Sequence, residues 1–120
     1  MKKLPKKVTP GFKLWLTASG EGVFGHGKWQ LLAAIEREGS LTAAADSLGI
    51  SYRKAWGDLK KAEAVLGIVF LERHRGGSDG GETSLTKDGR KWLTEYTRFH
   101  DEVEKKVNAA FARWTQRITK

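Results

Sequence analysis

Residues 39–67, GSLTAAADSLGISYRKAWGDLKKAEAVLG, decide how this chain folds. Ser40 and Ser51 each stand just before a helix-forming run, where a hydroxyl can accept from the unpaired N–H groups of a first turn. Gly49 lies between the two runs and supplies the left-handed residue that ends the first helix. Ile50 follows as an apolar plug for the corner. Ala43, Ala44 and Ala45 are small and Leu48 is apolar, so a second helix can cross the first closely. That second helix is expected to run to about Leu66, with Ala55, Leu59, Ala62 and Leu66 turned to a core at three- and four-residue spacing. Trp56 stands beside this stripe and is assigned to the core rather than to base stacking. Tyr52, Arg53, Lys54 and Gly57 fall on the exposed side of the first turns, and Lys60 and Lys61 continue a basic face. The layout is that of a helix-turn-helix, whose second helix enters a DNA major groove.

Upstream, Trp29, Leu31, Leu32 and Ile35 share one face of residues 28–37. They predict an amphipathic first helix ending at Gly39, the third member of a small helical core. Residues 12–17, FKLWLT, mix aromatics with partial alternation and predict a short strand; the glycine-rich residues 18–27 predict a loop. That loop contains two imitations of phosphate-binding motifs. GEGVFG at 20–25 matches G-x-G-x-x-G, and residues 22–28 match G-x-x-x-x-G-K. Both motifs belong to a β-α-β unit, and the next apolar segment here is alanine-rich and helical. Trp29 also stands where a magnesium-binding hydroxyl is required. Nucleotide binding is not expected.

Downstream, residues 68–75, IVFLERHR, are β-rich, and Thr83-Ser84-Leu85 offers a short partner strand. Residues 76–81, GGSDGG, lie between them and predict a glycine-tipped hairpin, a wing, with Arg73, His74 and Arg75 carrying positive charge to phosphates. Thr86 is placed to cap a last helix running to about Trp114. Within it Trp92, Tyr96, Phe99, Val103, Val107, Ala110, Phe111 and Trp114 recur near a 3.5-residue period. A helix of about 29 residues spans roughly 43 Å, more than so small a domain can cover. Its second half therefore needs another surface. A second copy is the simplest supplier, giving a two-fold dimer. A membrane-surface helix is the alternative, opposed by the interleaved Asp101, Glu102 and Glu104.

The 120 residues suffice for one domain. A formal charge of +8 and a pI near 9.9 favour a polyanionic partner, nucleic acid before an anionic membrane surface. With no cysteine, disulfides, zinc–thiolate sites and cysteine nucleophiles are excluded. His26, His74 and His100 are widely spaced and the carboxylates are scattered, so neither a metal, a cofactor nor an enzymatic activity is expected. The charged start of the chain carries no signal-peptide pattern, and no apolar run approaches the ~20 residues of a membrane span. A cytoplasmic location follows as the expectation.

In this order of elements the sequence resembles the N-terminal winged helix-turn-helix domain of ModE-type molybdate-responsive transcription regulators. The residues that carry the resemblance are Leu31-Leu32, Gly39-Ser40, Ala44-Ala45, Gly49-Ile50-Ser51-Tyr52, Ala55-Trp56, the glycine run 76–81, and Leu85-Thr86 followed by Gly89. It covers roughly residues 12–114. LysR-type DNA-binding domains are similar too, through Ala44-Ala45, Leu48-Gly49, Ser51, Glu63, Leu66-Gly67, Phe70 and Arg73, but they lack the glycine hairpin. The resemblance implies double-stranded DNA as partner, dimerisation through the flanking helices and a role in transcription regulation. ModE-type regulators carry a C-terminal oxyanion-binding region, which these 120 residues do not reach, so the regulator is expected to have no molybdate-binding domain of its own, and a separate effector-sensing partner is one way it would be controlled. A winged-helix protein-interaction module that has lost DNA binding is the competing expectation.

The expected fold is mainly α (α+β): a winged helix-turn-helix with a short N-terminal strand, a glycine-rich wing and a long C-terminal dimerisation helix. Its expected divisions are a basic arm over 1–11, solvated or reaching for extra phosphates, the winged domain over 12–87 and the long helix over 88–120. Tyr52, Arg53 and Lys54 are expected to touch base edges. Thr42, Ser51, Lys60, Lys61, Arg73, His74 and Arg75 are expected to meet phosphates. Phe99, Val103, Val107, Phe111 and Trp114 are expected to form the dimer interface.

Overall fold

Ser40 and Ser51 accept from the backbone N–H groups of Ala43 and Lys54, each at 3.0 Å. They cap helices α2, Leu41–Leu48, and α3, Tyr52–Leu66. Between them Gly49 has φ 69°, a left-handed conformation that a side chain would strain. Its geometry lets the Ile50 N–H reach back to the Ala45 carbonyl at 3.0 Å and close the corner. The preceding helix α1, His26–Glu38, ends at Gly39. In a computed structural model that describes residues 2–74 and 82–120, these three helices are followed by strands β3, Leu71–His74, and β4, Glu82–Leu85. The long helix α4, Lys87–Thr119, completes the chain.

Strands β3 and β4 pair antiparallel from Leu71↔Leu85 to His74↔Glu82. Together with the three helices they make the expected winged helix-turn-helix. Arg75 and the glycine run 76–81 lie outside the described residues. Strand β3 begins at Leu71 rather than at Ile68: the Thr86 N–H still meets the Phe70 carbonyl in register at 2.8 Å, but the Phe70 N–H is given to the Glu63 carboxylate instead of the ladder. The Thr86 hydroxyl then serves both segments: it donates to the Val69 carbonyl and accepts from the Gly89 N–H. One threonine thus fastens the entry of the wing to the start of α4.

The N-terminal region differs from expectation. Strand β1 is short, Leu16–Ala18, and pairs with β2, Glu21–Phe24, across a two-residue turn. Ser19 and Gly20 both have positive φ, 51° and 83°, the backbone that matches the twist of a two-residue hairpin. Half of the expected loop, Ala18 and residues 21–24, is therefore strand. This also disposes of the phosphate-loop imitations: β2 hydrogen-bonds the antiparallel strand before it, and α1 leads into α2 rather than into a parallel strand.

Phe24, Leu31, Leu32, Ile35, Leu41, Leu59, Phe70 and Leu85 are fully buried, with Ala44, Ala45 and Ala55 filling the close helix crossings. Ala55, Leu59 and Ala62 face the core as expected, while Leu66 is half-buried at its edge. Phe24 meets Trp92 and Tyr96 edge-on, at ring separations of 5.4 and 4.8 Å, and so joins the hairpin to α4. Trp29 is half-buried and donates its Nε1–H to the Thr97 hydroxyl at 2.9 Å.

Helix α4 has 33 residues, about 50 Å of helix, and Tyr96 is its last fully buried residue. Burial pushes the Tyr96 hydroxyl above its ordinary pKa, and its O–H donates to the Leu14 carbonyl at 2.9 Å. Phe12 stacks on His100, with ring centres 5.2 Å apart. Farther along, residues 3–8 line one groove with Phe111, Thr115 and Thr119. The N-terminal segment therefore runs antiparallel to α4 along its far half. The dimensions agree: eight extended residues from Leu4 to Phe12 span about 26 Å, the rise of some 17 helical residues. The arm is not a free tail, because Leu4, Phe12 and Leu14, spaced among the lysines, give it apolar anchors.

Candidate nucleic-acid interface

The start of α3 presents a set of side chains that the wing strand holds in place. Tyr52, Arg53 and Lys54 occupy its exposed first turn. Lys54 Nζ lies 3.0 Å from Asp58, an exposed i,i+4 pair worth only about 0.3–0.5 kcal/mol, so a stronger anion can displace the carboxylate. Arg53 has no carboxylate within ion-pair distance among the described residues, and its guanidinium fork is uncommitted.

From β3, Arg73 reaches α3. Its guanidinium donates to the Tyr52 hydroxyl and lies over the Trp56 ring, 4.4 Å from the ring centre. Lys60 covers the same ring at 4.4 Å and pairs with Glu63 at 2.9 Å. Glu63 in turn accepts from the Phe70 N–H at 2.6 Å. A chain of contacts thus runs Tyr52–Arg73–Trp56–Lys60–Glu63–Phe70 and locks the wing strand to the exposed edge of α3. Trp56 is half-buried: one part packs on the core and the rest forms the platform for two cations.

The other expected site residues are placed as follows. Thr42 is exposed on the first turn of α2, and Lys61 is exposed on α3 without a carboxylate partner among the described residues. The Ser51 hydroxyl is engaged in the α3 cap. His74 contacts the Ser84 hydroxyl at 2.8 Å and lies 3.9 Å from Glu72. Arg75 lies outside the described residues. The arginine–tyrosine–tryptophan cluster was not apparent from the sequence, since it depends on where β3 crosses α3. The signal was a basic residue in the wing strand and two aromatics on one face of the helix start. Among the described residues no group of three or more His, Asp and Glu is positioned to hold a metal ion.

A capped helix pair with a tight turn, an exposed cationic edge and an adjoining hairpin defines a winged helix-turn-helix module. Residues 27–90 match the model for bacterial regulatory helix-turn-helix proteins of the LysR family, and the chain belongs to that family. It is 35% identical over 79 residues to the molybdenum-pterin-binding protein MopB of Rhodobacter capsulatus, covering 66% of this chain and 29% of that protein. It is 33% identical over 66 residues to the DNA-binding transcriptional dual regulator ModE of Escherichia coli K12, covering 55% of this chain and 25% of the relative. The chain thus spans less than a third of the curated relatives it matches. Among solved structures it is similar to the DNA-binding domain of CbnR in complex with DNA, with a TM-score of 0.57 and 26% identity, covering 72% of this chain and 94% of that one.

Among the described residues no helix is long and apolar enough to cross a membrane.

Proposed function

We propose that the chain is a sequence-specific double-stranded DNA-binding transcription regulator acting in the cytoplasm as a homodimer. The observation that carries this reading is Arg53, exposed and without a carboxylate partner among the described residues at the start of a helix whose edge is fixed by the wing strand. Its fork can take the two acceptors of a guanine in the major groove, with Tyr52 and Lys54 beside it. Thr42, Ser51, Lys60, Lys61, Arg73, His74 and Arg75 position the module on phosphates without reading sequence. Selection of binding sites from random duplex DNA tests the whole reading. Enrichment of two related half-sites in inverted repeat is the expected result, and enrichment of no motif would favour an interaction module instead.

The Tyr52–Arg73 hydrogen bond predicts coupling between wing and recognition helix. Tyr52→Phe and Arg73→Gln, measured singly and together, are expected to be non-additive in duplex affinity by about 0.5–1.5 kcal/mol. Additive effects would mean that the two side chains act independently.

Dimerisation is assigned to the apolar stripe of α4, whose Phe111 also lines the groove that the arm occupies. Phe99 and Trp114 are 43% and 42% exposed there, and Val103, Val107 and Phe111 are half-buried. Apolar area of this kind, continued along a helix, is stabilised by a matching copy. Val107→Glu is expected to turn a dimer into a monomer in sedimentation equilibrium at micromolar concentration, with helix content unchanged. A wild-type monomer under those conditions would refute the assignment. The winged module over residues 12–87, the helix over 88–120 and the arm over 1–11 then act as reader, dimer element and flank.

A further inference from the structure

Residues 22–28, which imitate a nucleotide loop in sequence, have a place in the fold all the same. Every one of them lines a cleft of about 400 Å³ between the N-terminal hairpin and the first turns of α3. Lys54 and Asp58 line it from α3, with Ile50 of the helix-turn-helix corner beside them. Trp15, just before β1, lines it too and is 59% exposed. Its position is fixed by two glycines. A Cβ on Gly25 would lie 3.0 Å from the Trp15 Cβ, and one on Gly22 would lie 3.7 Å from Trp15 Cδ1. The indole N–H has no partner among the described residues. A tryptophan held in this way offers an interface both apolar area and one donor at little conformational cost.

The cleft lies on one flank of α3 and the wing on the other. Tyr52 and Trp56 take the contacts of Arg73, whereas Lys54 and Asp58 line the cleft with the hairpin. Two residues along a helix is a rotation of about 200°, so the two pairs stand on opposite sides. Ala55 and Leu59 occupy the core side, and Arg53 is exposed on the side away from it. The charge of the cleft is positive. Lys28 has no carboxylate within ion-pair distance among the described residues. Asp58 is the one carboxylate that lines the cleft among them, and Lys54 already holds it at 3.0 Å.

We infer that this cleft is a second flank of the DNA interface, one that receives the sugar–phosphate backbone on the side of α3 away from the wing. Lys28 meets a phosphate there and Trp15 lies against the deoxyribose edge. The inference rests on the DNA-binding reading above. A helix with its side chains is about 10–12 Å across and the major groove about 12 Å wide, so a seated helix has a backbone on either side. Arg73 and His74 are assigned to one, and the hairpin stands where the other passes. A free nucleotide fits less well, because the antiparallel pairing of β1 with β2 leaves no β-α-β unit to hold one.

Lys28→Gln and Trp15→Ala in the full chain test this, each titrated with the selected duplex and a random one as salt is raised. Lys28→Gln is expected to make the slope of log K against log salt shallower by ~0.9 per protomer, with an affinity at ~0.1 M salt about tenfold lower. Trp15→Ala should leave the slope as it is and weaken both duplexes by about threefold or more. Discrimination between the duplexes should stay within about twofold for both variants, because backbone contacts carry no sequence information. Hydroxyl-radical footprinting supplies the position: both variants lose protection on one flank of each half-site and keep it on the other. Lys28→Arg retains the charge, and Trp15→Phe keeps a ring on the two glycines; both should give the wild-type footprint. An unchanged slope and footprint for Lys28→Gln, with the wild type binding the selected duplex normally, would overturn the inference and leave the proposed function standing. Protection lost equally from both flanks would point to a loosened fold and overturn it as well. A wild type that binds no duplex would remove the proposed function and this flank with it.

Discussion

Arg53→Ala is expected to lower the ratio of specific to non-specific duplex affinity by about 5- to 150-fold, the equivalent of ~1–3 kcal/mol for the bidentate pairing with a base. The side chain stands exposed on the first turn of α3 and has no carboxylate partner among the described residues. Removing it therefore leaves no orphaned group within the protein, and the penalty falls on the bound state. Lys61→Ala, by contrast, is expected to weaken selected and random duplexes alike, with a salt slope shallower by about 0.9. Titrating both variants against the selected site and a scrambled one separates the two roles. An unaltered ratio for Arg53→Ala would show that another residue reads the bases.

Gly89→Ala is expected to destabilise the fold by about 2–3 kcal/mol and lower Tm by roughly 6–15 °C. A Cβ on Gly89 would lie 2.4 Å from the Phe70 carbonyl oxygen and 3.1 Å from the Phe70 Cα. These are backbone atoms, so no flexible side chain can give way and the segment itself must shift. The shift strikes where the Phe70 carbonyl accepts from Thr86 and where Glu63 holds the Phe70 N–H. The wing strand would then slip out of register against α3, so DNA affinity should fall even at temperatures where the variant is folded. Thermal unfolding followed by circular dichroism checks the first effect. A Tm within about 2 °C of wild type would mean that the two segments are less closely apposed.

The helix-turn-helix was legible because its signals are local. Ser40, Gly49 and Ser51 act on backbone groups within three or four residues, and the core stripe of α3 is a spacing within one helix. The N-terminal hairpin was only half legible: Ser19-Gly20 makes a two-residue turn, but the strands on either side are three and four residues long and offer little alternation. What the sequence withheld depends on pairings between distant segments. Arg73 meets Tyr52 across 21 residues, and Tyr96 meets Leu14 across 82. The arm's lysines conceal the anchoring role of Leu4 and Phe12, so that stretch carries no periodic pattern. Likewise the net charge, read as one number, gave no sign that the winged module is nearly neutral and that the excess of cations lies at the two ends of the sequence.

The tie between Leu14 and Tyr96 also has a consequence for synthesis. The basic arm is made before α4, and the partner of Leu14 on that helix follows 82 residues later, roughly 4–16 s at usual elongation rates. The hairpin and the three short helices can assemble during that interval from neighbouring sequence alone. The arm cannot, and it is laid down last. A nascent or truncated chain that stops short of α4 therefore holds the helix pair with its lysines loose and without Trp92 and Tyr96 against Phe24, and its electrostatic behaviour is that of a different molecule from the completed one.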